Sequence, residues 1–394
     1  MQNFEYYNPQ HLYFGCGTFN LLATLPMPGK KAVIITTKER LFVDRAVDLL
    51  RQNNVESIVY DGIRPNPNTD NINEGAKFAI ENGCDFVLGI GGGSPVDSSK
   101  CIGLLMHEGL ENDIWDYVPY LEGHKTPTGC APVICVSTTA GTGSEVTQSG
   151  VVSNDYIDVK LDVNHPAIFP IISIVDPELQ ISVPADLTAC QGMDVIFHCL
   201  EGYLDKLHTP YSDMIYLTSL SFAAKTLPVA YRDPCNIEAR EAMALASNLA
   251  GMGESIVDVM SLHAMAHTIG SFHHDIPHGV ALCLFAPEVF KFYESYPVNT
   301  TSRMATLAQE VGYGDTAADC TRFVIDIIKA LDLYNIDYSE YGIDPARSHE
   351  YAVHTVIDIA PYMNKDEHSP TIEEIEELYR IAFERNRKIK KLIN

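Results

Sequence analysis

The sequence predicts two domains of different class, an α/β domain followed by an all-α domain. Up to about residue 180, short β-branched runs alternate with helix-length segments, a pattern typical of parallel strands joined by crossover helices. Beyond that point the strand signals stop, and apolar residues recur at spacings of three and four, as in packed helices. A chain of 394 residues also fits two cores better than one.

Five β-branched runs predict the strands of the first domain, a mostly parallel sheet covered on both faces. They are KAVIITT (31–37), ESIVY (56–60), DFVLGI (85–90), APVICVS (131–137) and SIVD (173–176). The helices of the second domain are predicted from LEGYLDKL (200–207), MIYLTSLSFAAKTL (214–227) and EAMALASNLAGM (241–252). Prolines punctuate residues 177–184, so we predict domains at 1–180 and 181–394.

Composition and charge exclude several classes of partner. A net charge of −25 argues against nucleic acid and anionic lipid, which require clustered Lys and Arg. The chain has no run of 18 uncharged apolar residues and no signal-peptide pattern in MQNFEYYNPQ, so we expect no membrane association. The ten cysteines are scattered without a C-x2-C pair, which indicates free thiols in a reducing cytoplasm.

Two acid and imidazole pairs at helical spacing predict a metal site. Asp194 and His198 are four residues apart, as are His263 and His267, and His278 follows. Residues four apart project from one helix face, so each pair can direct two donor atoms at one point. One carboxylate and three imidazoles suit Fe(II) or Zn(II). A hydrogen-bonded Asp–His pair explains the first motif alone, but five of the fourteen histidines lie between 263 and 278.

Two glycine-rich turns predict a nucleotide site in the first domain. GGGSPVDSSK (91–100) follows the strand DFVLGI, and glycines there let backbone N–H groups and a helix start approach a pyrophosphate. STTAGTGSEV (137–146) follows the next strand and offers hydroxyls and amides to a ribose or phosphate. Either turn alone also fits an ordinary strand-to-helix connection. Together with the metal motif they predict a nucleotide cofactor facing a metal.

Motifs along nearly the whole chain resemble those of the iron-containing (group III) alcohol dehydrogenases. They include FGCGTFNLL, YDGIRPNPNTDNINEG, GGGSPVDSSK, STTAGTGSEVTQSGVVSN, DPELQISVPADLTACQGMDVIFHCLEGY and HAMAHTIGSFHHDIPHG, in the family's order. The resemblance implies an amino-terminal dinucleotide-binding domain and a carboxy-terminal helical metal-binding domain, the dehydroquinate synthase-like fold.

The resemblance also implies roles for single residues. The implied metal ligands are Asp194, His198, His263 and His278, with His267 as the catalytic residue beside nicotinamide and substrate. The implied cofactor-binding residues are Gly92, Gly93, Ser94, Asp97, Thr138, Thr139, Thr142 and Thr147, with Asn66 and Lys160 as further contacts. The implied cofactors are Fe(2+), with Zn(2+) as the alternative, and NAD(P).

Three departures from the family pattern modify these expectations. Thr37 stands where NAD-preferring relatives carry an acid, which admits NADP(H) with Lys38 as a partner of the 2′-phosphate. The SFHHDIPHG loop is one residue longer than usual, so His274 is an alternative ligand to His278, whereas His273 is interpreted as a loop histidine. Glu254 and Asp258 place carboxylates before the histidines, either as solvated residues or as the lining of a pocket for a polar, hydroxylated or cationic substrate.

The predicted function is reversible hydride transfer between a small primary alcohol or diol and a nicotinamide, as alcohol dehydrogenase or aldehyde reductase. The alternatives are polyol oxidation of the zinc glycerol dehydrogenase type and a dehydroquinate synthase-like lyase. A lyase acting on a phosphorylated acid would need basic residues near the metal, whereas the segments around Asp194 and His263 are acidic or apolar. We expect a cytoplasmic homodimer or larger homo-oligomer.

Overall fold

The computed structural model describes residues 3–393, and their side chains up to residue 387. Contacts within the chain divide it into two compact units. The sheet unit is Tyr6–Val183, and the helical unit is the chain from Pro184 onward together with the few residues before Tyr6. The predicted fold class, α/β followed by helices, is confirmed.

The sheet unit is built on a six-stranded, all-parallel sheet of order β1-β8-β5-β4-β2-β3. Its strands are β1 (His11–Phe14), β2 (Lys31–Thr37), β3 (Glu56–Ile63), β4 (Phe86–Gly91), β5 (Val133–Ser137) and β8 (Ile172–Val175). The helices between them are α1 (Val43–Gln52), α2 (Thr69–Glu81) and α3 (Gly93–Glu108). The central strands β4 and β5 are buried almost throughout, as a sheet covered on both faces requires.

Two parts of the sheet unit were not among the five predicted strands. The edge strand β1 pairs with β8, and its short sequence HLYF is too mixed in polarity to predict a strand. A separate antiparallel hairpin joins β6 (Ser149–Asn154) to β7 (Val159–Asn164). Its residues VKLDV alternate between apolar and charged side chains with a strand period of two, a signal that was not used to predict the strands.

The helical unit contains no strand among the described residues. Its helices are α4 (Ala185–Leu204), α5 (Pro210–Arg232), α6 (Ile237–Glu254), α7 (Ser261–Phe272), α8 (His278–Tyr293), α9 (Val298–Glu310), α10 (Ala317–Ala330), α11 (Ser348–Ile357), α12 (Ala360–Met363) and α13 (Ile372–Ile393). The helices α4, α7 and α8 are buried on nearly all sides, so they form the centre of this unit. None of the helices described here has both the length and the apolar character that crossing a membrane requires.

All ten cysteines are free thiols. Six of them are buried, and burial raises the pKa of Cys135, Cys199 and Cys320 to about 12 in each case. Only Cys16 and Cys235 are exposed. The thiols therefore behave as core residues or as single surface groups, in agreement with the absence of a disulfide pattern in the sequence.

Candidate metal centre and nucleotide turns

One face of α4 supplies the start of the candidate metal centre. Asp194, His198 and Glu201 are separated by four and three residues, so their side chains follow one another along that face. All three are buried, with Glu201 fully inaccessible to solvent. Charged groups are rarely buried at this depth unless each meets a partner, so this face must be matched by groups from other helices.

Three imidazoles surround a single oxygen of Asp194. Its Oδ1 lies 3.5 Å from Nε2 of His198, 3.6 Å from Nε2 of His263 and 3.5 Å from Nε2 of His278. Oxygen and nitrogen ligands at about 2.1 Å from one tetrahedral ion are about 3.4 Å apart. The spacing therefore matches the edges of a coordination polyhedron and is too long for hydrogen bonds.

Two buried atoms at the centre of this cluster support the same interpretation. Asp194 Oδ1 and His263 Nε2 have no hydrogen-bond partner among the described residues. Buried polar atoms without partners are rare, and an ion between them is a sufficient explanation. The ligand atoms of Asp194, His263 and His278 all lie within 4.8 Å of one another, and His198, which is outside this group of three, faces it with Nε2 at 3.5 Å from Asp194 Oδ1. The donor set thus fits a divalent iron or zinc ion.

Electrostatics hold Asp194 in its charged form. Burial opposes its ionisation, but the imidazoles of His198 and His278 outweigh that cost and keep its pKa below the usual range. Burial likewise acts to lower the pKa of His198, and the carboxylates of Asp194 and Glu254 raise it overall. The cluster without a metal therefore favours protons on its imidazoles, and a metal must displace them.

Glu201 joins the metal cluster to the start of α7. Its Oε1 accepts hydrogen bonds from the backbone N–H groups of Met260, Leu262 and His263, at 3.1, 3.0 and 3.4 Å. Its Oε2 accepts a short hydrogen bond from His263 Nδ1. Fixing the proton on Nδ1 leaves the lone pair of Nε2 free to face the centre of the cluster, beside Asp194 Oδ1, and this arrangement orients metal-ligating histidines.

Burial lowers the pKa of His263, but the facing carboxylate of Glu201 reverses this and raises it to about 10. Sequence reasoning did not select Glu201. A signal was present, because Glu201 lies seven residues after Asp194 on the same helix face.

A second buried carboxylate, Asp366, also holds the start of α7. It accepts hydrogen bonds from Ser261 N–H at 3.1 Å, from the Ser261 hydroxyl at 2.8 Å and from the Tyr296 hydroxyl at 2.9 Å. Burial raises the pKa of Asp366 to about 8, and these hydrogen bonds offset only part of that rise. Nothing in the sequence pattern distinguishes Asp366 from a solvated acid.

His267 lies one turn beyond His263 on α7 and is buried. Its ring centroid is 5.2 Å from that of His278 and 5.1 Å from that of Tyr362. It is outside the group of metal-ligand atoms found among the described residues. Its position beside the cluster fits a group that exchanges a proton near the reacting atoms.

His278 is placed by the first residues of α8. A Cβ at the following Gly279 would lie 2.0 Å from the carbonyl oxygen of Cys190, so only glycine allows α8 to approach α4 this closely. Of the two earlier loop histidines, His273 bonds through Nε2 to the Tyr351 hydroxyl at 2.9 Å. His274 does not belong to the metal-ligand group in the described part of the chain, and His278 does.

The two unusual carboxylates before the histidines have different environments. Glu254 ends α6, and its Oε1 is 2.8 Å from His198 Nε2. Asp258 accepts a hydrogen bond from Val259 N–H at 2.9 Å, and its Oδ2 is 3.7 Å from Lys365 Nζ. Glu254 therefore belongs to the candidate metal centre, whereas Asp258 is bonded to the neighbouring backbone and paired with Lys365.

The two glycine-rich turns of the sheet unit lie side by side, at the ends of the neighbouring strands β4 and β5. Thr138 N–H donates to the carbonyl oxygen of Gly91 at 2.9 Å. A Cβ at Gly93 would lie 2.6 Å from Thr142 Cγ2, so glycine is needed where the turns touch. Gly92 precedes α3, whose start has no side-chain cap, and such a helix start fits an anionic group.

A fully buried lysine, Lys100, connects the two turns through hydrogen bonds in the interior of the sheet unit. Lys100 Nζ donates to the Ser144 hydroxyl at 2.6 Å and to Thr147 Oγ1 at 3.1 Å, and it lies 3.4 Å from Asp97 Oδ1. The Ser144 hydroxyl also donates a short hydrogen bond to Asp97. The predicted cofactor residues Asp97 and Thr147 therefore take part in an internal network, which we call the Lys100 network: Asp97, Lys100, Ser144 and Thr147.

Of the other predicted cofactor residues, Asn66, Ser94 and Thr139 are half-buried, whereas Thr138 and Lys160 are buried. Ser94 stands in the first turn of α3, and Thr139 follows the buried Thr138 at the end of β5. Lys160 Nζ donates to the Asn66 side chain at 2.9 Å, and Asn66 has a positive φ of 52°. A left-handed asparagine is uncommon and marks a backbone held by its surroundings.

Thr37 ends β2, and the exposed residues Lys38 and Glu39 follow. A hydrogen bond from the Thr37 side chain lowers the pKa of Glu39. The carboxylate of Glu39 therefore stands two residues beyond Thr37, the position at which NAD-preferring relatives carry an acid.

Comparison with known proteins places these features in one family. Residues 9–177 match the family model of iron-containing alcohol dehydrogenases, and residues 188–383 match the model of the C-terminal region of Fe-containing alcohol dehydrogenases. The 1,3-propanediol dehydrogenase of Citrobacter freundii is 37% identical over 298 residues, 73% of this chain and 75% of that protein.

Two further relatives extend the comparison. The NADPH-dependent butanol dehydrogenase of Clostridium saccharobutylicum is 30% identical over 347 residues, 85% of this chain and 86% of that protein. The crystal structure of an archaeal halo-thermophilic alcohol dehydrogenase from a Red Sea brine pool superposes with a TM-score of 0.92 at 29% identity. That match covers 97% of this chain and 99% of the other.

Proposed function

We propose that this chain, a member of the iron-containing alcohol dehydrogenase family and an alcohol dehydrogenase, transfers hydride between a small primary alcohol or diol and NAD(P). The observation that carries the proposal is the single Asp194 oxygen faced by three imidazole nitrogens at 3.5 to 3.6 Å. Asp194, His198, His263 and His278 would hold the metal.

Each part of the cluster has a task in this proposal. A bound divalent ion supplies Lewis acidity toward the alcohol or aldehyde oxygen, and the nicotinamide supplies the hydride acceptor or donor. Glu201 keeps His263 in the tautomer that presents Nε2 to the centre, and it fixes the start of α7. The uncapped start of α3 and the hydroxyls of the second turn bind the phosphates and ribose of the dinucleotide.

We propose that His267 moves the alcohol proton toward solvent, because an imidazole exchanges protons near neutral pH. Its ring stacks edge-on against Tyr362 beside His278, so it is near the cluster without being part of it. In His267→Ala, kcat should fall about 100-fold or more while the metal content per chain stays unchanged. Loss of the metal in this variant would instead assign His267 as a ligand.

For the dinucleotide, we propose a preference for NADP(H), with Lys38 as the partner of the 2′-phosphate. The nearby Glu39 opposes this choice, so we expect a modest ratio of kcat/KM for NADPH over NADH, which Glu39→Gln should increase. A strong preference of the unaltered protein for NADH would contradict the proposal.

The whole proposal is tested by anaerobic purification, elemental analysis and an assay that follows the absorbance of reduced nicotinamide with a panel of alcohols and aldehydes. We expect one iron or zinc ion per chain and net reduction of NAD(P)+ by small primary alcohols or diols. A lyase that uses the dinucleotide only transiently would give no net reduction. No net hydride transfer to or from any member of the panel by the metal-loaded protein would refute the proposed function.

A further inference from the structure

Glu254 lies at the candidate metal centre, and metal binding would remove its hydrogen-bond partner, His198. Its Oε1 is 2.8 Å from His198 Nε2, which is the only polar contact that the described residues offer it. The same nitrogen faces Asp194 Oδ1 at 3.5 Å. When His198 Nε2 donates its lone pair to a metal, it carries no proton for Glu254. The carboxylate then needs another cation or donor.

The position of Glu254 in α6 gives no structural reason for a carboxylate. It is the last residue of the helix, where the negative end of the helix dipole disfavours a negative charge. Its side chain is 20% exposed, so it is neither packed in the core nor free in solvent. A charged residue that destabilises its own helix and borders a buried cluster is better explained by binding of a ligand than by a role in folding.

The charges of the cluster indicate what kind of ligand this is. One divalent ion is balanced by Asp194, whose Oδ1 has no hydrogen-bond partner among the described residues, and by Glu201, which accepts a hydrogen bond from His263. Glu254 adds a third negative charge on the His198 side. Lys365, the cation found near the next carboxylate, pairs with Asp258. A cationic group is therefore the complement that leaves the site neutral.

We propose that Glu254 is a specificity-determining residue that binds the ammonium group of an amino alcohol whose hydroxyl group reacts at the cluster. This rests on the proposed function and narrows its substrate class. Glu254 Oε1 and Asp194 Oδ1 lie 2.8 and 3.5 Å from the same nitrogen of His198, so a short carbon chain between the ammonium and hydroxyl groups suits this site. A neutral diol can also donate a hydrogen bond to Glu254, but an ionised donor binds a carboxylate more strongly.

The test compares 3-amino-1-propanol with 1-butanol, which differ by an ammonium in place of a methyl group. In the metal-loaded wild-type protein, kcat/KM should be higher for the amino alcohol. In Glu254→Gln, which keeps the shape but not the charge, the ratio of the two kcat/KM values should fall about 100-fold. Asp258→Asn is the matched control, because it removes a neighbouring carboxylate that already has Lys365 as its partner, and it should leave the ratio unchanged.

Calorimetric titration with propylammonium chloride provides a readout that does not depend on turnover. The wild-type protein should bind this cation, Glu254→Gln should lose the binding, and both should contain the same amount of metal. An unchanged substrate ratio in Glu254→Gln, or a loss of metal that marks Glu254 as a metal ligand, would overturn the inference and leave the proposed function intact. If no alcohol is oxidised at all, the proposed function fails, and absence of propylammonium binding would overturn the inference separately.

Discussion

The metal cluster of the helical unit and the glycine-rich turns of the sheet unit are built by opposite means. In the cluster, side chains from α4, α7 and α8 supply every donor atom, and other side chains such as Glu201 orient them. In the turns, the main chain and the absence of side chains supply the shape, as at Gly93 against Thr142. The Lys100 network supports that shape from inside.

Because of this difference, the side chains of the metal cluster matter mainly for function, whereas those of the glycine-rich turns matter for both function and stability. Two buried atoms at the centre of the cluster, Asp194 Oδ1 and His263 Nε2, have no hydrogen-bond partner among the described residues. Their side chains therefore contribute to chemistry more than to folding. Lys100 contributes no exposed atom, yet two loops depend on it. Substitutions in the helical unit should therefore remove activity first, and those in the sheet unit should remove stability first.

The largest effect is expected from removing a ligand of the cluster. His263→Ala should lose the metal and reduce turnover by more than about 1,000-fold, because three ligands remain and the charge balance around Asp194 is broken. Elemental analysis and circular dichroism should show a protein without metal that is still folded. His273→Ala, which changes a histidine bonded to Tyr351, should keep its metal. A full metal content in His263→Ala would contradict the assignment.

In the sheet unit, Lys100→Met should cost about 3–5 kcal/mol of unfolding free energy, because it leaves the buried Asp97 carboxylate without its cation. Urea unfolding followed by fluorescence of Trp115, the only tryptophan of the chain, measures this unit. Lys77→Met removes an exposed lysine paired with Glu81 and should change the value by less than about 0.5 kcal/mol. Equal effects of both substitutions would remove the contrast between the two regions.

A smaller effect is expected from Glu201→Gln, which keeps the acceptor oxygen for the backbone of α7 but weakens the hold on His263. Metal affinity should fall about 10- to 100-fold, as measured by competition with a chelator. Glu241→Gln, at an exposed position of α6, is the control and should not alter the affinity. Unaltered affinity in Glu201→Gln would show that the ligands alone orient the site.

The smallest effect, counted per pH unit, is a dependence of stability on pH through Asp366. Its folded pKa of about 8 lies above the unfolded value of about 3.9, so the folded state binds more protons between these values. This contribution to stability is complete at low pH and is lost as the pH rises toward 8, by up to about 1.4 kcal/mol per pH unit. Urea unfolding at several pH values should show this slope in the wild type and a reduced slope in Asp366→Asn.

The same contrast explains which parts of the protein could be predicted from sequence. The helical spacing of four predicted the pairs Asp194–His198 and His263–His267, and the family resemblance added His278. The structure brings Asp194, His263 and His278 together from three different helices. The predicted strands β2, β4, β5 and β8 are long or fully buried runs, which leave a clear pattern. The edge strand β1 and the hairpin of β6 and β7 are half-polar, and their strand character depends on partners far away in the chain.

The residues that orient the site were harder to predict than those that form it. Glu201, on α4, and Asp366, between α12 and α13, act on the start of α7. Contacts between residues 61 and 105 positions apart along the chain have no local signature. Asp97 and Thr147 show the reverse problem. Their residue types suit a cofactor turn, but burial directs them to Lys100. A motif gives the residues of a turn, and only packing decides which of them face outward.

The two exposed thiols, Cys16 in the sheet unit and Cys235 in the helical unit, make the chain suitable for fluorescent labelling of each unit by itself. Maleimide dyes react with exposed thiolates, whereas the thiols held at a high pKa inside the core stay unlabelled. A dye on each thiol would then report on the unit that carries it. The fluorescence anisotropy of the two labels would follow the local mobility of each unit by itself as dinucleotide or alcohol is added, without any engineered cysteine.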